Sequence, residues 1–353
     1  MRRALFRLLA VAIAGIVSLM LAEAAVRVLA PQQLAGSWLT DSGHGYDVNR
    51  PGAVASYTFG NRTAHYRINT AGFRGGPVAP AQANVLVLGD SVTFGWLLEE
   101  NNSYVAQLAD RAAQAFGDKI QFLNGAVAGW GAAEYLAFLE DQQASLPPVN
   151  AVLIFLSGDE ARRANEAGLW SLDGDRLVRL AKTRADRPLR SLNRVPGYTF
   201  LIERSHLVNL ARREVVELVW GNATVAARSQ PLSQLTERQL SDAAGLTDAL
   251  MRELARWCSA RRLPLWVIAT GYVNLHWDGP GHDINRQFMA SAPRLFESLG
   301  VTYLDLVGTV SPAFDAESTY FIPIDYHPNE NGARLVTDSS WPWLNARLHE
   351  IVK

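Results

Sequence analysis

Cysteine is almost absent. Cys258 is the only one in 353 residues, which excludes an internal disulfide and any cysteine-rich zinc site. It sits in the helical run Arg-Trp-Cys-Ser-Ala, where a lone thiol reads as ordinary packing rather than as a nucleophile. An excess of either charge is missing too: 33 Lys and Arg stand against 34 Asp and Glu, a formal charge of −1, so no global field draws the chain to nucleic acid. Internal repeats and low-complexity tracts are lacking, and the 27 glycines and 16 prolines are spread along the chain, which excludes collagen-like, coiled-coil and wholly disordered classes. What is left, 48% hydrophobic and 19% charged, is a globular chain with room for one large α/β domain with additions or two modest ones.

Long hydrophobic runs are confined to the N-terminus. Arg2, Arg3 and Arg7 precede fifteen uncharged, mostly apolar residues from Leu8 to Ala22, closed by Glu23 and Arg27. This is the pattern of an export signal, and the length leaves two forms open. Started at Ala4 with Arg7 snorkelling, the helix becomes long enough for an uncleaved membrane anchor; Ala22-Glu23-Ala24 offers a small-x-small cleavage site that would release a secreted protein. The anchor over residues 1–30 is the expectation. The early arginines keep the N-terminus in the cytoplasm and place everything after residue 30 on the extracytoplasmic, periplasmic side.

Residues 31–83 are rich in Gly, Pro, Asn and Thr, with short β-like pieces at 56–59 and 65–69, and read as a connecting and capping region. From Asn84 the pattern changes to short β-rich runs alternating with helical stretches. Strands are expected at Asn84 to Gly89, Lys119 to Asn124, Ala151 to Ser157, Leu263 to Thr270 and Val301 to Leu306, nearly all continuously apolar as parallel strands covered on both faces should be. Helices are expected between them, at Ser103 to Phe116, Ala132 to Ala144, Leu240 to Arg261, Ile284 to Leu299 and Glu330 to His349. The fold class is therefore a three-layer α/β/α sandwich on a five-stranded, mainly parallel sheet spanning 84–353, with an insertion at about 160–235 on the catalytic edge.

In open parallel sheets ligands bind beyond the carboxyl ends of the strands. The first strand runs into Gly89-Asp90-Ser91, a serine on a tight strand-to-helix turn. Such a serine serves either as a nucleophile or as a helix N-cap. At the far end of the chain stands Asp325-Tyr326-His327-Pro328, just before the last helix. A carboxylate and an imidazole two residues apart in extended chain project to the same side, and Pro328 imposes a turn. Ser91, His327 as base and Asp325 to orient it are the three parts of acyl transfer by a serine nucleophile. Of the other histidines only His276 and His282, flanking a Trp-Asp-Gly-Pro-Gly turn, compete for the role, and they read as loop residues at the rim. Nothing points to a metal or a cofactor: Asp325 and His327 lack a third ligand nearby.

Three blocks carry a family resemblance. Gly-Asp-Ser-Val-Thr-Phe-Gly (89–95), Asn-Gly-Ala-Val-Ala-Gly-Trp-Gly (124–131) and Asp-Tyr-His-Pro-Asn-Glu-Asn-Gly (325–332) resemble the first, second and last blocks of the SGNH, or GDSL-type, hydrolases, over about 84–345. The segment 66–75, Tyr-Arg-Ile-Asn-Thr-Ala-Gly-Phe-Arg-Gly, is similar to a lead-in of membrane-anchored bacterial members. The resemblance implies a flavodoxin-like fold, Ser91 as nucleophile with Asp325 and His327 as its base pair, and oxyanion donors at Ser91 and Gly129. Two departures stand out. The family's third block ends in Asn-Asp, the Asn donating to the oxyanion, whereas here Ser157-Gly158-Asp159-Glu160 puts Gly158 in that place; Ser157 or Gly158 is the expected substitute donor, and Gly158→Asn is expected to raise turnover. The carboxylate also precedes the histidine by two residues rather than three, as in some relatives that acetylate polysaccharides.

The implied activity is a serine esterase acting on a small or polysaccharide-borne acyl ester. An O-acyltransferase for an envelope polysaccharide, and a glycan-binding protein that has lost turnover, are the alternatives. Within the insertion, Arg176, Arg179, Lys182, Arg184, Arg187, Arg190, Arg194, Arg204, Arg212 and Arg213 face only Asp186 and Glu203, with the apolar run 198–202 among them. This is either a solvated face balanced from elsewhere in the fold or a contact for an anionic surface over 176–213, lipid headgroups or an acidic polysaccharide.

Overall fold

The computed structural model describes residues 2–32, 34, 38–79, 83–180, 195–212, 214–215, 237–271, 280–310, 319–322 and 325–352. It begins with α1 (Arg2–Leu29), whose 24-residue stretch Phe6–Leu29 is long and apolar enough to cross a membrane and has no residue buried in the protein. Two antiparallel hairpins follow, β1 (Leu39–Asp41) with β2 (Asp47–Asn49), and β3 (Val54–Phe59) with β4 (Arg62–Arg67).

The central sheet is built from β5 (Ala83–Leu88), β6 (Ile120–Asn124), β7 (Ala151–Leu156), and, after the hairpin β8 (Trp170–Asp173) with β9 (Arg176–Arg179), from β10 (Leu265–Ala269) and β11 (Thr302–Asp305). All five strands are parallel, and their spatial order is β11-β10-β7-β5-β6. Numbered first to fifth along the chain and read from the β6 edge, that is the order 2-1-3-4-5, a doubly wound sheet whose direction of winding reverses between β5 and β7. The expected α/β/α sandwich is the observed fold.

Alternate side chains of each strand feed two cores. Leu86, Leu88, Val152, Ile154, Val267 and Ala269 pack under α4 (Ala132–Gln142), α5 (Glu160–Ala167), α7 (Glu237–Ala260) and α8 (Pro280–Ser298). Val85, Val87, Leu153, Phe155, Trp266 and Ile268 pack under α3 (Tyr104–Phe116) and α9 (Glu330–Ile351). Both faces are covered, which is why β7 and β10 are apolar at every position, and β5 at every position but Asn84, rather than at every second one. Residues 160–180 belong to this body: Leu169 and Trp170 are buried in the first core, and the Trp170 indole N–H donates to the Ala133 carbonyl at 3.1 Å. The single cysteine, Cys258, is buried on α7, and burial pushes its thiol up to about 12, far from a reactive thiolate.

A third, smaller core joins the N-terminal hairpins to the start of the sheet domain. Trp38, Ala53, Ala64, Tyr66 and Ile68 pack on Phe94 and Ala126. At its centre Arg74 is buried, its guanidinium donating to the carbonyls of Phe94, Gly95 (2.7 Å) and Leu98 (2.6 Å) and lying over the Tyr66 and Phe94 rings. Removing it would take the guanidinium donor from the Phe94 and Leu98 carbonyls, at about 1–3 kcal/mol each where they are buried, while the Gly95 carbonyl would keep the Leu98 N–H at 3.1 Å. The hairpin region is thus bolted to the loop that leaves the helix after β5.

Candidate active site

The turn after β5 is dictated by close packing. Gly89 has no room for a Cβ, which would collide with the Thr93 side chain. Asp90 then caps α2 (Ser91–Phe94), its carboxylate accepting the Val92 N–H at 2.8 Å, and Gly95 closes the helix at φ +85. Of the two roles open to Ser91, that of the N-cap is thereby taken. The cap is Asp90, so the Ser91 hydroxyl, on the first helical residue, is left for another partner.

That partner is His327. Its Nε2 lies 2.8 Å from Ser91 Oγ, and its Nδ1 lies 2.6 Å from Asp325 Oδ1. The same carboxylate oxygen accepts the His327 backbone N–H at 3.3 Å. The backbone that brings the pair together is not the extended one expected: Tyr326 is left-handed at φ +63, and the stretch folds back so that the Tyr326 N–H donates to the Ile322 carbonyl and the Ile322 N–H to the His327 carbonyl, both at 2.9 Å. Asn329 anchors the far side by capping α9. Hydroxyl, imidazole and carboxylate in hydrogen-bonded series form an arrangement able to take a proton from the hydroxyl as it attacks a carbonyl. The Trp96 ring stands 5.9 Å from the imidazole and packs on Tyr57 and Trp38, so the N-terminal hairpins form a wall of the site. Tyr57 senses it electrostatically: burial, and then the Asp325 carboxylate, raise its phenol.

The second block lies alongside. The Val127 N–H donates to the Gly89 carbonyl at 3.2 Å, and Asn124 Nδ2 to the Thr93 carbonyl at 3.2 Å, fixing the turn 127–130 against the Ser91 turn. Gly129 adopts φ +87 with open space around it. Among the described residues, the backbone N–H groups of Ser91 and Gly129 have no hydrogen-bond partner.

The third block differs from expectation. Ser157 is buried and donates its hydroxyl to Asp90 Oδ2 at 2.6 Å; its backbone N–H donates to Glu160 Oε1 at 2.7 Å, and the Gly158 N–H donates to Glu160 Oε2 at 2.9 Å. Ser157 and Gly158, expected as substitute oxyanion donors, therefore have those donors committed to two buried carboxylates. Burial, and next the neighbouring Asp90 charge, lift Glu160 to about 8; burial likewise raises Asp90. Glu160 and Arg74 were invisible to motif reading. Glu160 lies three residues past Ser157, where an acidic residue opening a helix reads as ordinary. Arg74 is the next-to-last residue of a lead-in whose resemblance assigns it no role.

Elsewhere the basic stretch is partly balanced. Arg179 is paired with Asp141 (2.5 Å) and Glu140 (3.2 Å) of α4, and Arg176 with Asp173, so these two are no free cationic surface. Lys182, Arg184, Arg187, Arg190, Arg194, Arg213 and Asp186, as well as His276 and the His282 side chain, lie outside the described residues.

A model of the GDSL-like lipase/acylhydrolase family matches residues 87–335. No curated protein matches the sequence. Similar solved structures include a member of the lipolytic G-D-S-L family from Veillonella parvula, 10% identical with a TM-score of 0.40, covering 73% of this chain and 96% of that one. Another is a mutant of Axe2, an acetyl-xylooligosaccharide esterase from Geobacillus stearothermophilus, 12% identical with a TM-score of 0.43, covering 74% and 94%. A third is the psychrotrophic esterase EstA from Pseudoalteromonas sp., 12% identical with a TM-score of 0.40, covering 76% and 100%.

Proposed function

Since the chain belongs to the GDSL-like lipase/acylhydrolase family and is an ester-hydrolysing enzyme, we propose that it works through an acyl-enzyme on Ser91, with His327 as general base and Asp325 holding the imidazole. The observation that carries this reading is the unbroken series from Ser91 Oγ through the imidazole to Asp325, at the point where the winding of the sheet reverses. His327 Nε2 takes the hydroxyl proton as Oγ attacks the ester carbonyl, and returns it to the departing alcohol. Water then repeats the sequence on the acyl-enzyme, giving the carboxylic acid and free serine. The oxyanion is held by the N–H groups of Ser91 and Gly129. A third donor of the kind the family's Asn provides is not available from Ser157 or Gly158, and such a donor is typically worth about 100- to 1000-fold in turnover. The enzyme is accordingly slow on simple unactivated esters.

The test is kinetic. Ser91→Ala, His327→Ala and the double variant should fall to the same residual rate, about a thousandfold or more below the parent, because parts that act as one unit do not add. Additive losses would overturn the assignment. The two-residue Asp325 to His327 spacing favours one second reading, transfer of the acyl group to a polysaccharide hydroxyl in place of water; product that forms only with an added glycan acceptor identifies it.

The helix α1 fits an uncleaved anchor with the hydrolase on the extracytoplasmic side. Glu23, in the middle of the cleavage pattern, is committed to contacts with residues 205–207, which a cleaved signal would forfeit. The intact mass of the purified chain checks this, a mature start near Ala25 being the contrary result.

A further inference from the structure

A cluster of polar contacts ties the end of α1 to the stretch beyond β9. The Glu23 carboxylate accepts from Ser205 Oγ at 2.7 Å and from the backbone N–H groups of His206 and Leu207, both at 2.9 Å. Those N–H groups open the helical residues 206–212, so a side chain of α1 does for them what an N-cap does. Arg27 adds a bond to the Arg204 carbonyl at 2.9 Å, and the Gln32 N–H one to His206 Nδ1 at 2.8 Å.

Depth along α1 then locates this stretch. A hydrocarbon layer of about 30 Å takes about 20 helical residues. Counted from Phe6, the start of the apolar stretch, those residues end close to Ala25. Glu23, six residues or about 9 Å before the end of α1, stands at the boundary between acyl chains and headgroups, and holds residues 205–207 there.

The composition of that stretch matches such a place. Outside α1, the exposed large apolar residues among those described are Val54, Leu180, Val195, Phe200, Leu201, Val215 and Tyr326. Four of the seven lie within 195–215, and Phe200 and Leu201 point outward from α6 (Tyr198–Ile202) while Ile202 is packed inward. Exposed cations accompany them: Arg27, Arg204, whose guanidinium lies 4.4 Å from the Phe200 ring centroid, and Arg212. Glu203 approaches Arg50 at 4.0 Å, linking the stretch to the hairpin region that walls the site.

We propose that residues 195–212 and 214–215 form a membrane-interfacial element lying on the outer leaflet beside α1, with Phe200 and Leu201 at the acyl boundary and Arg27, Arg204 and Arg212 among the lipid phosphates. The proposal rests on the reading of α1 as an uncleaved anchor. It gives the hydrolase a fixed orientation on the bilayer rather than a tether of free swing.

The test uses the full chain with its buried cysteine replaced, Cys258→Ala, and an environment-sensitive fluorophore at Phe200→Cys, at Leu201→Cys as a second reporter, or at Val54→Cys on the β3–β4 hairpin. Each labelled protein must hydrolyse a small soluble ester as the parent does. In vesicles of phosphatidylcholine and phosphatidylglycerol the protein should float with the lipid. Brominated acyl chains should then quench most of the emission at 200 and 201 and leave that at 54 unchanged. Co-flotation with labels at 200 and 201 as unquenched as at 54 overturns the inference while the anchor stands. Labels shielded from aqueous iodide yet untouched by brominated lipid also overturn it, since a protein surface would then be covering the patch. A chain that does not float overturns the anchor and the inference together.

Discussion

Neighbouring strands β5 and β7 end side by side in nearly the same residues, Gly89-Asp90-Ser91 and Ser157-Gly158-Asp159, and the fold puts them to opposite uses. After β5 the aspartate caps the helix, the serine falls one residue later, and its hydroxyl is free to meet His327. After β7 the serine comes first, is buried, and spends its hydroxyl on Asp90 and its N–H on Glu160. Two positions of offset relative to the end of the strand, Ser91 being the third residue after Leu88 and Ser157 the first after Leu156, separate a serine that faces His327 from a serine that bridges buried carboxylates. The bridge also matters to the first turn, because the carboxylate Ser157 binds is the one that caps the helix opened by Ser91.

Substitutions at the two serines should break this symmetry. Ser91→Ala is expected to lose about a thousandfold or more of kcat with little loss of stability. Ser157→Ala should do the reverse, lowering unfolding free energy by about 1–3 kcal/mol as a buried carboxylate loses its donor, with a kcat change under about tenfold. Paired steady-state kinetics and denaturant titrations read both. At the next position, Gly158→Asn restores the family's residue type but not its function. Gly158 sits at φ +101, where an L side chain is strained, and its N–H is held by Glu160. The gain in turnover expected from sequence alone is therefore withdrawn: the variant should be less stable and no faster.

A smaller effect sharpens the comparison through pH. Glu160 is lifted to about 8 from an ordinary value of 4.5, so the folded protein keeps a proton the unfolded chain gives up. Its contribution to stability is fully present below about pH 4.5 and declines as pH rises through about 8. Glu160→Gln should flatten the fall in unfolding free energy across that window. A slope unchanged in the variant would assign the pH dependence to another group.

What motif reading captured and what escaped it divide along physical lines. The five strands were legible because burial on both faces demands largely unbroken apolar runs, and the meeting of Ser91, Asp325 and His327, as distinct from their roles, because each needs particular local residues: a glycine with no room for a Cβ, a cap, a turn before Pro328. The left-handed Tyr326 was not legible, since an extended dipeptide also aligns two side chains. Ser157 and Gly158 misled because their donors are consumed by Asp90, 67 residues upstream, and by Glu160, whose burial no local pattern announces. Arg74 likewise takes its meaning from three carbonyls at 94–98, across the boundary drawn at residue 84.

The claim that one of these serines is the nucleophile and the other is not is tested most directly by covalent capture. The full chain is treated with a fluorophosphonate and the modified peptide is mapped by mass spectrometry. One phosphonate on Ser91, formed far more slowly in His327→Ala and absent from Ser157, is the predicted result; labelling at Ser157, or none at Ser91 in protein that hydrolyses ester, would contradict it.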